Sequence, residues 1–297
     1  MSKVAAALQQ PLRQGRTPAV IGTVAAAGLG IAIYSRTMRT AQADSGEPRK
    51  LITGPVFTSL PLASSEAVNH NTKRLRFQLP EGTISGFPTT SAVLTFSWPK
   101  GSWTPVVRPY TPINSPDEPG VLELMVKHYP GGKASTHLHS LSPGDSLFFL
   151  ARIPGFAYKP NQFPHVTLIA GGAGITPIYQ LASSIIRDPS DKTRVDLIFG
   201  VNSDADVLMK EEFESWEKQY PDRFRATYVV SRPSESSPYP KGYVTKELLA
   251  NVAGPAEPDS KVFVCGPPAM ETALVGSWTQ KGVLAELGYR KDQVHKF

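Results

Sequence analysis

The sequence predicts two folded regions in series: a β-barrel over about residues 51–157 and an α/β doubly wound parallel sheet over 158–297. Three observations predict it. In the first region short runs of alternating apolar and polar residues succeed one another, closely punctuated by Pro and Gly; many short strands at close spacing suggest a barrel. In the second region strand-like runs alternate with amphipathic helical stretches, which argues for parallel strands joined by crossover helices. Residues 166–180, V-T-L-I-A-G-G-A-G-I-T-P-I-Y-Q, read as strand, glycine turn and helix start.

The chain has 297 residues and a net charge of +6. Its first 43 residues carry Lys3, Arg13, Arg16, Arg36 and Arg39 and no acid. The remainder has 31 − 5 = 26 basic residues against 25 acidic ones, so the excess is local and does not argue for nucleic acid. Residues 1–16 resemble an organelle presequence. Residues 17–35 hold no charge and come close to the ~20 residues that span a bilayer as a helix. Two readings stand here. One is a cleaved signal or transit peptide; the other is a retained membrane-spanning helix with Arg36 and Arg39 at the interface. Residues 36–50 read as a linker. The single cysteine, Cys265, excludes an internal disulfide.

Within the barrel region, residues 72–79 place Leu75, Phe77 and Leu79 on one face and Arg74 and Arg76 on the other, as a half-buried strand does. Residues 93–98, 121–128 and 146–150 read similarly, and 135–141 as a short helix. Arg108-Pro109-Tyr110-Thr111-Pro112 is the first motif. In an extended strand Arg108 and Tyr110 share a face and Thr111 takes the other. A guanidinium pairs bidentately with phosphate, a ring covers a planar ligand, and a hydroxyl meets a ring nitrogen. A surface strand in a Pro-rich loop is the plainer alternative. Gly131-Gly132-Lys133-Ala134-Ser135-Thr136 is the second motif. It is an anion-binding candidate at a helix start, or a hairpin loop with a helix cap.

In the second region Gly171, Gly172 and Gly174 fall within four positions, followed by Thr176 and Pro177. Glycine lets backbone N–H groups approach a ligand, Pro177 suits a first helical turn, and the open helix N-terminus attracts phosphate. The third glycine of a dinucleotide fingerprint is replaced by Pro177. Helices are expected at 178–187, 208–220, 244–252 and 269–281, and strands at 194–199, 225–230 and 261–265. Cys265 ends the last of these strands, before Gly266-Pro267-Pro268; that carboxyl-end position argues against a merely structural thiol. No histidine–acid arrangement around it suggests a nucleophile. His137 and His139 read as surface residues without a metal pattern.

R-P-Y-T-P at 108–112, G-G-K-x-S at 131–135, G-G-A-G-I-T-P at 171–177 and C-G-P-P-x-M at 265–270 occur in one order and spacing. Together they resemble the NADH–cytochrome b5 reductase family, within the ferredoxin reductase-like flavoenzymes, over residues 48–297. The N-terminal segment and the ending K-D-Q-V-H-K-F look most like the fungal mitochondrial form.

The resemblance implies FAD in a groove of the barrel. Arg108 and Pro109 would sit at the pyrophosphate, Tyr110 against the isoalloxazine and Thr111 near its reactive nitrogen. Val126 and Lys127 would line the ring and ribitol side, and Gly132, Lys133, Ala134 and Ser135 would donate to the pyrophosphate. NADH would lie on Gly172, Gly174, Thr176 and Pro177 and on Cys265, Gly266, Pro267 and Met270. Thr111, Thr176 and Cys265 are the expected catalytic positioning groups, and Lys133 is also expected to face an acidic cytochrome. The implied reaction takes a hydride from NADH and delivers electrons singly to cytochrome b5 or a similar haem protein. The implied location is the mitochondrial outer membrane, single-pass, with the catalytic domain facing cytosol or intermembrane space.

One departure stands out. Ser231-Arg232 occupies a place where the family commonly has an acid, and resembles the Ser-Arg pair that holds the 2′-phosphate of NADPH in related reductases. Two alternatives follow: an NADPH-preferring reductase of this fold with another acceptor, and a membrane-tethered flavin-binding docking protein without turnover.

Overall fold

A computed structural model describes residues 48–51, 55–254 and 256–297. The expected presequence, the apolar run 17–35 and most of the linker lie outside the described residues. Among the described residues no helix is long and apolar enough to cross a membrane.

Alternation builds the first lobe. Six antiparallel strands, β1 (Pro55–Asn69), β2 (Thr72–Gln78), β3 (Ala92–Ser97), β4 (Val106–Tyr110), β5 (Val121–Lys127) and β6 (Ser146–Ile153), run in the order β4-β3-β6-β1-β2-β5. Leu75 and Phe77 of β2, Leu122 and Leu124 of β5 and Phe149 of β6 are wholly buried in one core. The sheet closes on itself where the chain after β4 meets β5: Ile113 N–H donates to the Glu123 carbonyl at 3.0 Å. Closure removes a pair of open edges. The long β1 borders both β2 and β6, and it bends at register shifts near Leu62 and Ala67.

Helix α1 (Lys133–Ser140) lies between β5 and β6. It packs Leu138 into the barrel core, wholly buried. His137 and His139 on this helix are half-buried rather than surface residues. The His139 ring is hydrogen-bonded to the Val126 carbonyl at 2.7 Å.

The second lobe is a parallel sheet of β7 (His165–Gly171), β8 (Arg194–Val201), β9 (Phe224–Val230), β10 (Lys261–Cys265) and β11 (Val294–Lys296), ordered β9-β8-β7-β10-β11. Buried on both faces, β7 reads as a continuous apolar run rather than an alternating one. Helices α2 (Ile175–Arg187), α3 (Lys210–Gln219), α4 (Lys246–Val252), α5 (Pro268–Val275) and α6 (Val283–Glu286) cover it. Strand order reverses between β7 and β10, which is the switch point where such sheets bind ligands.

The expected helix 269–281 is cut short. Gly276 has φ +94, and a Cβ there would lie 2.6 Å from the Gln280 carbonyl and the Gly282 nitrogen. α5 therefore stops at Val275 and a tight hairpin follows. β11 and the full length of β1 are not among the expected strands.

Candidate active site

The strand ends of both lobes open onto one cleft of 1410 Å³. From the barrel come Arg108, Pro109, Tyr110 and Thr111, then Lys127, then Gly132, Lys133, Ala134 and Ser135. From the sheet lobe come Gly174, Thr176 and Pro177, with Cys265, Gly266 and Pro267.

Cross-strand pairing holds the first group. Thr95 Oγ1 donates to the Arg108 carbonyl at 3.1 Å, and Tyr110 sits opposite Val93. The Arg108 guanidinium is exposed and donates to the carbonyl of Val107; among the described residues it has no acidic partner. Burial pushes the Tyr110 hydroxyl up to about 12, with Arg108 opposing, so the ring presents a neutral phenol to the cleft. On the other lobe, Gln180 of α2 donates to the Pro112 carbonyl at 3.1 Å. That bond ties the R-P-Y-T-P strand end to the nucleotide lobe.

The glycine loop before α1 is a tight turn. Gly132 N–H donates to the Tyr129 carbonyl, and Ser135 Oγ donates to the Gly132 carbonyl while accepting from Tyr129 N–H. The Gly132 N–H and the Ser135 hydroxyl therefore brace the loop instead of standing free. The N–H groups of Lys133, Ala134 and Ser135, in the first turn of α1, have no intrahelical acceptor. A guanidinium with no acidic partner among the described residues, lining the same cleft as open helical N–H groups, suits a pyrophosphate.

At the switch point the two loops touch. A Cβ on Gly174 would collide with the Cys265 carbonyl, and one on Gly171 would lie 2.6 Å from Met270 Sδ. Thr176 is buried and donates through Oγ1 to the Ala173 carbonyl at 3.2 Å. Burial, with Glu271 adding, raises the Cys265 thiol to about 12. It is therefore a neutral S–H at physiological pH, and neither a nucleophile nor a thiolate.

Five expected residues stand outside the cleft lining. Val126 points into the barrel core, wholly enclosed, because strand alternation gives the cleft to Met125 and Lys127. Gly172 has φ +52 and forms the turn behind the lining. Met270 packs its sulfur beside Gly171 and Gly266. Ser231 and Arg232 lie past the end of β9, bonded through their N–H groups to Val201 and Asn202.

Sequence reasoning missed several lining residues. Tyr129 also lines the cleft; burial raises its pKa, and the Ala173 backbone opposes the rise. Thr90 holds a left-handed φ of 66, unusual for a β-branched residue, and its hydroxyl donates to the Phe156 carbonyl at 2.6 Å. Phe297 stacks on Phe263 with centroids 5.9 Å apart. A strained dihedral leaves no sequence mark, and Phe297 reaches the cleft only through the pairing of β11 with β10.

Lys127 has a further partner. Its ammonium lies 2.7 Å from Asp206 Oδ1 in the sheet lobe, with both side chains almost fully buried. Asn71 also donates to Asp206, at 3.2 Å, and Asn69 to the Ala205 carbonyl, at 2.7 Å. The lobes are thus clamped beside the cleft.

Comparison with known proteins agrees with this geometry. Residues 59–158 match the oxidoreductase FAD-binding domain, and residues 168–275 the oxidoreductase NAD-binding domain. NADH-cytochrome b5 reductase 2 of Emericella nidulans is 45% identical over 98% of this chain and 96% of its own. The protein of that name from Pyricularia oryzae is 48% identical over 81% of this chain and 76% of its own. Among solved structures, the cytochrome b5 reductase domain of Ulva prolifera nitrate reductase has a TM-score of 0.75 at 26% identity, covering 84% of this chain and all of that domain. The chain is an oxidoreductase that uses FAD and NADH, and it belongs to the NADH–cytochrome b5 reductase family.

Proposed function

We propose that this protein carries electrons from NADH to a cytochrome b5, that residues 17–35 hold it on a membrane, and that the membrane is the mitochondrial outer one. The observation that carries the electron-transfer reading is the shared cleft. The barrel's Arg108 to Thr111 and the sheet lobe's Thr176 and Cys265 wall one space, and contacts such as Gln180 to Pro112 hold the walls in register.

FAD, when bound, supplies a centre that takes two electrons at once and releases them singly. The protein's own residues position and screen. Arg108 and the first turn of α1 would neutralise the FAD pyrophosphate, and Tyr110 would lie against its ring. Thr111 would offer a hydroxyl to the ring. Gly174 and the loop after Cys265 let a nicotinamide approach without side-chain obstruction. The neutral Cys265 thiol and the Thr176 side chain would border the nicotinamide's approach, so their work would be orientation. Lys133, exposed beside the cleft, would offer its charge to an acidic haem protein.

The test is anaerobic mixing of the FAD-loaded full chain with NADH or NADPH, followed by oxidised cytochrome b5. Fast bleaching of flavin absorbance by NADH, then reoxidation by cytochrome b5, supports the reading. Bleaching without reoxidation removes cytochrome b5 as acceptor, and no bleaching by either nucleotide leaves the docking-protein alternative. Membrane attachment is read separately. The full chain should resist alkaline extraction from mitochondrial membranes, and deletion of residues 17–35 should release it.

A further inference from the structure

The outer face of the barrel carries a run of aromatic rings that no part of the electron-transfer reading uses. In β3 Val93, Thr95 and Ser97 point into the barrel, so Phe96 and then Trp98 point outward. Phe57 of β1 and Phe148 of β6 join them. Ring centroids are 4.8 Å apart for Phe57 and Phe148, 6.1 Å for Phe57 and Phe96, and 6.2 Å for Phe96 and Trp98. Phe57 and Trp98 are each 56% exposed. The β3–β4 hairpin extends this face with Trp98-Pro99-Lys100-Gly101-Ser102-Trp103, and Trp103 is 97% exposed. The Trp98 indole N–H donates to the Ser102 carbonyl at 2.9 Å, so the ring can leave water without an unsatisfied donor.

Charge narrows the occupant. The hairpin gives this face Lys100, while Arg108 and Arg152, opposite the inward-pointing Thr95 and Val93, are turned away from it; residues 55–65, 92–107 and 146–151 hold no acid, and Glu66 and Asp145 flank them. Tryptophans beside a lysine match the headgroup layer of an anionic bilayer, where indoles settle and cations are attracted. Chain length agrees. Arg49, where the chain first pairs with the barrel (Arg49–Lys50 against Thr83–Ile84), follows Ser35, the last residue of the uncharged run, by 49 − 35 = 14 positions, which at ~3.5 Å per residue is a tether of at most ~50 Å. We propose that this aromatic face, led by Trp98 and Trp103, is a second membrane contact that seats the barrel on an anionic lipid surface. The tether argument rests on the membrane reading of residues 17–35.

The experiment uses the full-length FAD-loaded chain with vesicles of phosphatidylcholine, with or without phosphatidylserine, bearing bromine on the acyl chains. The expected result is quenching of indole fluorescence, most of it lost in the Trp98→Ser/Trp103→Ser variant. Flavin content and NADH-driven bleaching should be unchanged. Lys100→Glu should weaken quenching only where phosphatidylserine is present. Vesicle flotation is read alongside. Flotation with equal quenching in the wild type and the double variant keeps the anchor and overturns the lipid-facing patch, whereas no flotation overturns both. Two other outcomes also overturn it. One is an unquenched patch with a dimer that the double variant dissolves. The other is an unquenched patch whose emission shifts red when residues 17–35 are deleted, which would place that segment over it.

Discussion

In the barrel the cleft is walled by side chains that the protein leaves free: the Arg108 guanidinium lacks an acidic partner among the described residues, and the Tyr110 phenol is kept neutral by burial. In the sheet lobe it is walled by backbone, drawn together where a side chain would not fit, as at Gly171 and Gly174 against the loop after Cys265. One lobe binds by donating groups and the other by making room. Substitutions in the first should loosen a ligand, and substitutions in the second should displace one that still binds.

Gly174→Val is the strongest test of that difference. The new side chain meets the Cys265 carbonyl, which belongs to a strand end and cannot swing away. Misplacing the reacting groups by about 1 Å costs on the order of 100-fold in rate, so NADH-dependent bleaching should fall at least that far while FAD stays bound. Loss of FAD as well would mean that the lobes are not separable. Arg108→Ala should do the opposite. Losing a charge-assisted contact worth ~1.5–3 kcal/mol weakens FAD about 10- to 100-fold, and added excess FAD should restore turnover; titration of the stripped protein reads it.

Asp206→Asn probes the clamp between the lobes. Removing one member of a buried ion pair costs ~3–5 kcal/mol, so the urea midpoint should drop. Burial opposes the ionised Asp206, yet hydrogen bonds from Lys127, Ser203 and Asn71 take its carboxyl down to about 2. A depressed acid stabilises the fold above its unfolded pKa, and that contribution is lost as pH falls from about 4 towards 2. The Asp206→Asn variant should lack this acid-dependent part of the loss.

Cys265→Ser should change hydride transfer by no more than ~10-fold, a positioning effect. With the thiol raised to about 12, neither protein should show a pH step from it between about 6 and 9. Smallest for NADH should be Arg232→Ala, since Arg232 stands outside the cleft lining. If the NADPH-to-NADH preference is unchanged, Arg232 does not contact a 2′-phosphate.

The same contrast explains what the sequence makes legible. Backbone ligand sites demand glycines and prolines at fixed positions, so the Gly171–Pro177 and Cys265–Pro268 loops stand out of the chain unaided. Side-chain sites on strands are legible only as far as alternation holds. It places Arg108 and Tyr110 together. The family resemblance puts Val126 in the cleft, where alternation along β5 puts Met125 and Lys127 instead. β1 escapes the pattern because Pro55, Pro61 and three register shifts break its period. Tyr129, Thr90 and Asp206 reach their places through tertiary packing alone, and no local pattern announces that.

Thr90 and Lys296 wall the same cleft although they stand 296 − 90 = 206 positions apart. Contacts of such separation form late, after most of the chain entropy has been surrendered. A ligand that spans the assembled cleft holds its distant walls together by mass action, so cells short of the vitamin should accumulate a less durable apoprotein.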